Sequence, residues 1–156
     1  MEFSIYRLGA ADTQLVPVVL DCFAAAFDDP KNYDSRRPDA EYLRRLLGDG
    51  SFIGLVALDG EQLLGALVAY ELKKLEQQRS EIYIYDLAVH SAFRQRGVAT
   101  ALINALQPIA ADIGACSIYV QTESDDVEAV SLYSKLGVRA EVLHFEFAMR
   151  STNDKV

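Results

Sequence analysis

The spacing of apolar residues predicts that strands and helices alternate along the chain. Apolar residues recur at every second position in some segments and at intervals of three to four in others. The first spacing places them on one face of a strand, and the second places them on one face of a helix. The predicted elements of the first half are a strand over 3–8, a helix from 12 or 13 to about 27, a loop over 28–38, a helix over 38–48, and a hairpin of strands over 51–58 and 63–72 that turns at Asp59-Gly60.

The second half begins with a strand that opens at Glu81 and leads, through a turn at His90-Ser91, into an apolar helix after Gly97. Pro108 predicts a kink or an early end of this helix, because proline lacks the amide hydrogen that a helix interior uses. A strand, a helix and a strand in succession predict a parallel pair, so the fold class is α/β with a mixed (α+β) sheet. The remaining predicted elements are a strand over 116–122, a short helix that begins at Asp125 or Asp126 and ends at Gly137, and a last strand over 141–149.

The central strand does not fit a regular strand from end to end. Ile82 and Ile84 share one face, whereas Leu87 and Val89 would lie on the other face, because side chains alternate with a period of two. One extra residue near Tyr85-Asp86 would return all four apolar side chains to the core. The sequence therefore predicts a β-bulge at this point.

Length, composition and charge narrow the class of protein. The chain has 156 residues, of which 51% are hydrophobic, and a formal net charge of −8. Its length suits one domain, which we expect over residues 1–150, with a polar tail over 151–156. The negative charge disfavours a nucleic-acid partner and permits a cationic one. Because we find no bilayer-spanning apolar run and no signal peptide, we expect a cytoplasmic protein without a membrane partner.

The two cysteines do not indicate a metal site. Cys22 and Cys116 lie far apart in the sequence and in no spacing that is typical of metal ligands. We therefore expect both to be small buried apolar residues, and we expect the protein to hold no metal ion.

A turn with the features of an anion site follows the central strand. The first amides of a helix have no intrahelical partner, and the helix dipole is positive there. Gly97 lets the backbone approach a ligand closely, and Arg94 and Arg96 add positive charge. The alternative is an ordinary strand-to-helix turn with solvated arginines. The turn lacks the Gly-Lys-Ser/Thr of a P-loop and the three glycines of the dinucleotide fingerprint.

The spacing Arg94-x-x-Gly97-x-Ala99 resembles the pyrophosphate loop of the GNAT superfamily of N-acetyltransferases. The predicted order of elements is similar to the GNAT fold over nearly the whole chain. The resemblance implies acetyl-coenzyme A as cosubstrate, and a mixed sheet flanked by helices whose two parallel strands splay apart at a bulge to admit pantetheine. The cofactor-binding residues that it implies are Leu87, Ala88 and Val89 through their backbone groups, and Arg94, Gln95, Arg96, Gly97, Val98, Ala99 and Thr100 in the loop.

Asp86 is the predicted catalytic carboxylate. It lies at the predicted bulge in an otherwise apolar and aromatic run, where a carboxylate needs a partner or has a shifted pKa. It could accept a proton from a substrate ammonium, directly or through a water molecule. The alternative is a polar residue that only holds the bulge in shape. Glu81, at the start of the strand, is the rival base, and its own alternative is a solvent-facing edge residue.

Tyr133 is the second predicted catalytic residue. It lies in the pattern Asp126-x-x-Ala129-x-x-x-Tyr133-x-x-x-Gly137. This resembles a GNAT pattern that begins with Asn and ends with Gly-Phe, in which the tyrosine commonly protonates the departing thiolate of coenzyme A. The resemblance implies the same role for Tyr133, and the alternative is a core tyrosine. The chain departs from the pattern at Asp126, which adds a negative charge, and at Val138.

Longer stretches resemble the aminoglycoside 3-N-acetyltransferases of the gentamicin-resistance type. That family transfers acetyl from acetyl-coenzyme A to the 3-amino group of the deoxystreptamine ring. The resemblance implies a polycationic small-molecule acceptor and a role in antibiotic resistance, with a homodimer as a family-level expectation only. The stretches that carry it are PDAEYL (38–43), GALVAYEL (65–72), RSEIYIYDLAV (79–89), GVATALIN (97–104), IYVQ (118–121) and LYSKLGVRAEVLHF (132–145).

Acidic residues around the predicted cleft fit such an acceptor, because acidic clefts attract cations. For any one of these acids, the alternative is a helix cap or a solvated loop residue. Residue types alone leave open a polyamine or a peptide N-terminus as acceptor, and a non-catalytic acyl-coenzyme A binding module as another class. The predicted acceptor-binding residues are Glu81, Tyr83, Glu123, Asp125 and Asp126.

Overall fold

A five-stranded sheet dominates the first of the two units into which the chain divides, residues 1–123 and 124–156. The computed structural model describes residues 2–33 and 35–149. Neighbouring strands are also consecutive in the chain, in the order β1-β2-β3-β4-β5. These strands are β1 (Ser4–Arg7), β2 (Phe52–Asp59), β3 (Gln62–Lys73), β4 (Ser80–Val89) and β5 (Ala115–Val120). The first three pairings are antiparallel and the β4–β5 pairing is parallel, which confirms the predicted mixed sheet.

Four α-helices accompany the sheet in the described part of this unit. They are α1 (Val16–Phe27), α2 (Pro30–Tyr33), α3 (Ala40–Gly48) and α4 (Val98–Asp112). The prediction of a loop over 28–38 is wrong in part, because the four-residue helix α2 lies within it. The side chain of Asp29 accepts a hydrogen bond from the backbone N of Asn32 at 3.2 Å, and proline is favoured in the first turn of a helix. The early end that Pro108 offered as one alternative does not occur, because α4 continues to Asp112.

Apolar side chains cover both faces of the sheet. One face packs against α4, and the other packs against α1 and α3. Cys22 is buried on α1 as predicted, but the prediction for Cys116 is wrong, because that residue is exposed on β5. None of the helices that the structure describes is long and apolar enough to cross a membrane. The buried residues of the α4 face are Ile53, Leu55, Ala57, Leu64, Leu67, Ala69, Ile82, Ile84, Val98, Leu102, Leu106 and Ala110.

The predicted bulge is present in β4. Asp86 pairs with Val68 of β3, whereas the next pair joins Ile84 to Ala69, so Tyr85 is the extra residue. Ile82 and Ile84 are buried in the core on the α4 face, and Leu87 and Val89 pack against the same core. The bulge therefore shifts the side-chain alternation by one residue, and Asp86 points to the opposite face, the one that packs against α1 and α3.

The two parallel strands, β4 and β5, separate at the bulge. Pairing between β4 and β5 ends at Ile84 and Val120, although β4 continues to Val89. The same part of β4 stays paired with β3, and the approach there is so close that a Cβ atom at Gly65 would lie 2.7 Å from the carbonyl oxygen of Ala88. The second half of β4 therefore leaves β5 while it remains in the sheet.

The second unit consists, within its described part, of one helix followed by a segment without regular secondary structure. Helix α5 (Val127–Leu136) begins after Asp126, whose side chain accepts a hydrogen bond from the backbone N of Ala129 at 3.0 Å. The predicted last strand over 141–149 is wrong, because the described residues after α5 form no strand. The apolar side chains of this segment, among them Phe147, are exposed. The predicted polar tail over 151–156 lies outside the described residues.

Candidate active site

Among the residues that the structure describes, the side chain of Asp86 has one hydrogen-bond partner, and this partner is distant in the chain. The hydroxyl of Tyr33 on α2 donates a hydrogen bond to Oδ1 of Asp86 at 2.8 Å, in partly buried surroundings. The Tyr33 ring is held from the other side by Phe23 and Phe27 of α1, with ring centroids 5.9 and 5.7 Å away. The aromatic cluster thus fixes α2 against the bulge and fixes the orientation of the Asp86 carboxylate.

Two opposing effects set the acidity of Asp86. Burial raises the pKa of its carboxyl above the ordinary range, and the hydrogen bond from Tyr33 lowers this pKa by a smaller amount. The pKa of Tyr33 is raised by burial and by the adjacent Asp86 carboxylate, so its hydroxyl stays protonated and remains a donor. A carboxylate with a raised pKa is a stronger proton acceptor than an exposed aspartate.

Replacing Tyr33 with phenylalanine is expected to raise the pKa of the Asp86 carboxyl further. The hydroxyl hydrogen bond favours the charged carboxylate, and the ring that packs on α1 is retained. Titration of the Asp86 carboxyl carbon by NMR measures the change. Tyr6→Phe is a matched control because that hydroxyl bonds to Asp12 instead. If the titration of Asp86 were the same in Tyr33→Phe and the unsubstituted protein, the hydrogen bond would not exist in solution.

Glu81 occupies a different environment. Its carboxylate forms an ion pair with Lys74 at 3.4 Å and lies near the start of β4, before the bulge. The hydrogen bond to Glu81 is the largest contribution to the raised pKa of Lys74, whose side chain is half-buried. The Glu81 carboxylate is thus already paired with an ammonium group, whereas the Asp86 carboxylate is hydrogen-bonded to a neutral hydroxyl.

The other predicted acceptor-binding residues belong to different segments of the two units. Tyr83 lies on β4, and its hydroxyl donates to Oε1 of Gln121 at 3.1 Å. Glu123 is exposed at the end of the first unit. Asp125 is exposed in the second unit, where Asp126 caps α5. The capping role, which was the alternative for the acids of this segment, is therefore present at Asp126.

The turn before α4 has the geometry of an anion site. Gly97 caps the helix with a φ of 82°, and Gln95 has a φ of 59° although it is not a glycine. Alternation of left-handed and right-handed residues turns successive backbone amides toward one concave side. Left-handed backbone at a non-glycine residue costs free energy and is frequent at ligand sites. The first intrahelical bond at this end joins the N of Ala101 to the carbonyl oxygen of Gly97, so earlier amides point out of the helix.

Both arginines of the turn contact residues that precede the turn in the chain. The Nε of Arg94 donates to the carbonyl oxygen of Val89 at 3.3 Å, which ties the turn to the end of β4. The guanidinium of Arg96 lies over the ring of Phe93, 5.8 Å from its centroid. The predicted loop residues Arg94, Gln95, Arg96 and Gly97 are exposed, whereas Val98 is buried in the α4 core and Ala99 and Thr100 are half-buried. Val98 therefore anchors the helix, and its side chain does not face a ligand.

These features fit acetyl-coenzyme A, in two respects. A turn with outward-pointing amides and two arginines suits a pyrophosphate. The edge of β4 that β5 leaves after Ile84 carries Leu87, Ala88 and Val89, whose backbone groups on that side have no strand partner there. An extended pantetheine arm can pair with such an edge as another strand would.

Tyr133 lies in the second unit, on α5, and is half-buried. Burial raises the pKa of its hydroxyl, and the negative charge of Asp126 raises it further. The hydroxyl is therefore protonated over the physiological range and can act as a proton donor.

Several tyrosines near the bulge were not singled out from the sequence. Tyr33 lies 53 residues from Asp86 along the chain, so no local pattern could connect them. Tyr70, Tyr85 and Tyr119 form ring contacts with one another or with Tyr83. The repeated tyrosines of the segment IYIYD were a visible signal for Tyr85, although the pattern of a strand also explains them.

Comparison with known proteins identifies the family. A model of the acetyltransferase (GNAT) family matches residues 17–138. The chain therefore belongs to the GNAT family of acetyltransferases, as the sequence of the loop and the order of elements predicted. It is 31% identical to N-acetyltransferase 8B of Rattus norvegicus over 110 residues, which is 69% of this chain and 50% of that protein. It is 31% identical to N-alpha-acetyltransferase 30 of Schizosaccharomyces pombe over 108 residues, which is 67% of this chain and 69% of that protein.

The chain thus spans about half the length of the first of these curated relatives. Among solved structures, it resembles an aminoglycoside acetyltransferase from an uncultured soil metagenomic sample, with 47% identity and a TM-score of 0.93 over 96% of this chain and 100% of that one. A second aminoglycoside acetyltransferase from such a sample, solved in complex with sisomicin, is 26% identical with a TM-score of 0.86 over 95% and 97% of the two chains. These similarities confirm the predicted GNAT fold.

Proposed function

We propose that the protein transfers acetyl from acetyl-coenzyme A to the 3-amino group of the deoxystreptamine ring of gentamicin-type aminoglycosides, and so confers resistance to them. The observation that carries the proposal is the 47% identity over 96% of the chain to an aminoglycoside acetyltransferase. The 3-amino position rests on the resemblance of the stretches over 79–89 and 132–145 to the gentamicin-resistance type.

Asp86 removes the proton from the acceptor amine in this proposal. An amine is mostly protonated at neutral pH and must lose a proton before its lone pair can attack a carbonyl carbon. Tyr33 holds Oδ1 of Asp86, which assigns Oδ2 to the ammonium or to a water molecule that relays the proton. The raised pKa of Asp86, caused by burial, brings its basicity closer to that of the amine.

Acetyl-coenzyme A supplies the acetyl group and leaves as coenzyme A. The turn over 94–100 holds its pyrophosphate through backbone amides and arginine side chains, and the edge of β4 at Leu87, Ala88 and Val89 binds its pantetheine amides. A backbone amide near the bulge polarises the thioester carbonyl. Tyr133 donates the proton that the departing sulfur takes up, a transfer that the ordinary pKa values of phenol and thiol permit.

A peptide N-terminus is the second candidate acceptor. N-alpha-acetyltransferase 30, by its name, acts on α-amino groups, and it shares 31% identity with this chain over 67% of the chain. The acidic character of the chain, with a net charge of −8, favours a polycation over a typical peptide.

Acetyl-coenzyme A turnover, followed by thiol release, tests the proposal with gentamicin, sisomicin, spermidine and a peptide with a free N-terminus as separate acceptors. We expect turnover with the two aminoglycosides and little with the others, and NMR of the product should place the acetyl group on the 3-amino nitrogen. Turnover with the peptide or spermidine in preference to the aminoglycosides would refute the acceptor, and acetylation at another nitrogen would refute the position. Binding of the cosubstrate without turnover of any acceptor would refute the enzymatic role.

A further inference from the structure

Four tyrosine rings form a continuous row across three strands of the sheet. Tyr70 of β3 contacts Tyr85 of β4, with ring centroids 6.0 Å apart. Tyr85 contacts Tyr83 at 5.7 Å, and Tyr83 stacks on Tyr119 of β5 at 5.0 Å with an angle of 18° between the ring planes. We call these four residues the tyrosine row. Ring contacts of this kind fix the side chains and leave a rigid surface.

The tyrosine row is unusually open to solvent for a set of packed aromatic rings. Tyr85 is 63% exposed and Tyr119 is 38% exposed. Tyr85 is exposed because it is the extra residue of the bulge and has no partner position on β3. The hydroxyl of Tyr83 is held by Gln121, so its ring cannot swing away without losing a hydrogen bond.

The tyrosine row lies beside the carboxylate of Asp86. Asp86 directly follows Tyr85 in β4, and its charge contributes to the raised pKa of both Tyr70 and Tyr83, after the larger contribution of burial. Tyr33 approaches the same carboxylate from α2. An aromatic surface with a carboxylate next to it attracts an ammonium group in two ways. The negative charge of the carboxylate attracts it, and so do the negative faces of the rings.

An amino sugar matches this surface in both of its parts. Its ring C–H groups form an apolar face that can lie on an aromatic ring, and its ammonium groups are attracted by the ring faces and by the carboxylate. A peptide N-terminus or a linear polyamine would supply the cation without a rigid apolar face. The tyrosine row is thus better suited to an amino sugar than to a peptide N-terminus or a linear polyamine.

We propose that the tyrosine row is the platform on which a cationic amino sugar lies when its reacting amine reaches Asp86, with Tyr85 and Tyr119 as the main contact rings. This inference rests on the proposed function and adds to it the surface that selects the acceptor. Tyr85 and Tyr119 are named because their rings are the ones most accessible to a ligand in the row.

Replacement of both rings tests the inference. The Tyr85→Leu/Tyr119→Leu double variant is compared with Tyr85→Phe/Tyr119→Phe, which keeps the rings and loses only the hydroxyls. Calorimetric titration of each protein with sisomicin, in the presence of coenzyme A, measures acceptor affinity. We expect the leucine variant to bind about 3- to 30-fold more weakly, and the phenylalanine variant to bind within about 2-fold of the unsubstituted protein. Tyr6→Leu, on β1 at the opposite edge of the sheet, is the control for loss of an exposed tyrosine.

The KM for acetyl-coenzyme A distinguishes loss of the platform from loss of the fold. In the leucine variant this KM should equal that of the unsubstituted protein, because the substitutions do not change the proposed cosubstrate site. Sisomicin affinity equal to that of the unsubstituted protein in the leucine variant would overturn the inference and leave the proposed function standing. Equal losses in the leucine and phenylalanine variants would also overturn it, because hydroxyl groups rather than ring faces would then bind the acceptor. If the unsubstituted protein bound no aminoglycoside, the proposed function and the inference would both fail.

Discussion

Replacing Asp86 with asparagine is expected to lower kcat by about 10²- to 10⁴-fold, the range typical for loss of a general base. Asparagine has nearly the same shape as aspartate, and its side-chain oxygen can still accept the hydrogen bond from Tyr33. The change therefore removes the proposed proton acceptor and should keep the geometry of the bulge. The measurement is the initial rate of thiol release with a saturating aminoglycoside, together with the thermal unfolding temperature as a check on the fold.

The pH dependence of the same reaction distinguishes a base from a structural carboxylate. A base works only when deprotonated, so kcat/KM should fall as the pH drops through the pKa of Asp86. Burial raises this pKa, so the fall should begin at higher pH than for an ordinary aspartate, whose pKa is about 3.9. In Asp86→Asn, the residual kcat/KM should no longer fall in this acidic pH range.

Glu81→Gln is the matched control for Asp86→Asn. It changes the same functional group on the same strand, but at a residue that is ion-paired with Lys74. We expect its kcat to stay within about 3-fold of the unsubstituted enzyme, because Glu81 is not the proposed proton acceptor and the ammonium of Lys74 can still donate a hydrogen bond to the glutamine oxygen. A large loss in Glu81→Gln together with near-normal activity in Asp86→Asn would transfer the role of the base to Glu81.

Replacing Tyr133 with phenylalanine is expected to lower kcat by about 10²-fold or more, because the departing sulfur then has no positioned proton donor. Burial and the charge of Asp126 raise the pKa of the Tyr133 hydroxyl, so the unsubstituted enzyme should keep its kcat well into the alkaline range. The variant retains the ring, so a loss of activity can be assigned to the hydroxyl. Thiol release with saturating acetyl-coenzyme A and sisomicin measures the effect.

Binding of coenzyme A should be nearly the same in Tyr133→Phe and in the unsubstituted protein, since the substitution leaves the turn over 94–100, the proposed pyrophosphate site, unchanged. Tyr6→Phe removes a hydroxyl on β1 and serves as the control for the loss of an exposed phenol. If Tyr133→Phe turned over at the normal rate, Tyr133 would be a packing residue of α5, which was the alternative from the sequence.

Much of the fold followed from local patterns in the sequence. Periods of two and of 3.6 residues placed all five strands of the sheet and three of the four helices of the first unit, because these periods reflect which side of an element is buried. The bulge at Tyr85 also followed, since Ile82 and Leu87 could reach the same core only through an extra residue between them. The turn before α4 was visible because Arg94, Arg96 and Gly97 lie within four residues of sequence.

Sequence patterns failed to predict the structure where it depends on contacts with other parts of the chain. The segment over 141–149 alternates as a strand does, but a strand also requires backbone hydrogen bonds to a neighbour, and no strand is formed by its described residues. Cys116 was expected in a buried strand, but an edge strand such as β5 can expose a residue that a central strand would bury. Glu81 has the residue type of a base, and its ion pair with Lys74 could not be predicted from the sequence pattern.

The sequence by itself determined the order of the elements, the bulge and the turn, because each depends on residues that are close together in the chain. Only the tertiary structure brought the hydroxyl of Tyr33 to the carboxylate of Asp86 and assembled the tyrosine row from three strands. These contacts join residues that are far apart in sequence, and they form only when packing of the sheet and of α1 sets the distance between them. The acidity of Asp86 depends on such packing, because burial and a hydrogen bond are properties of the folded surroundings and not of the residue type.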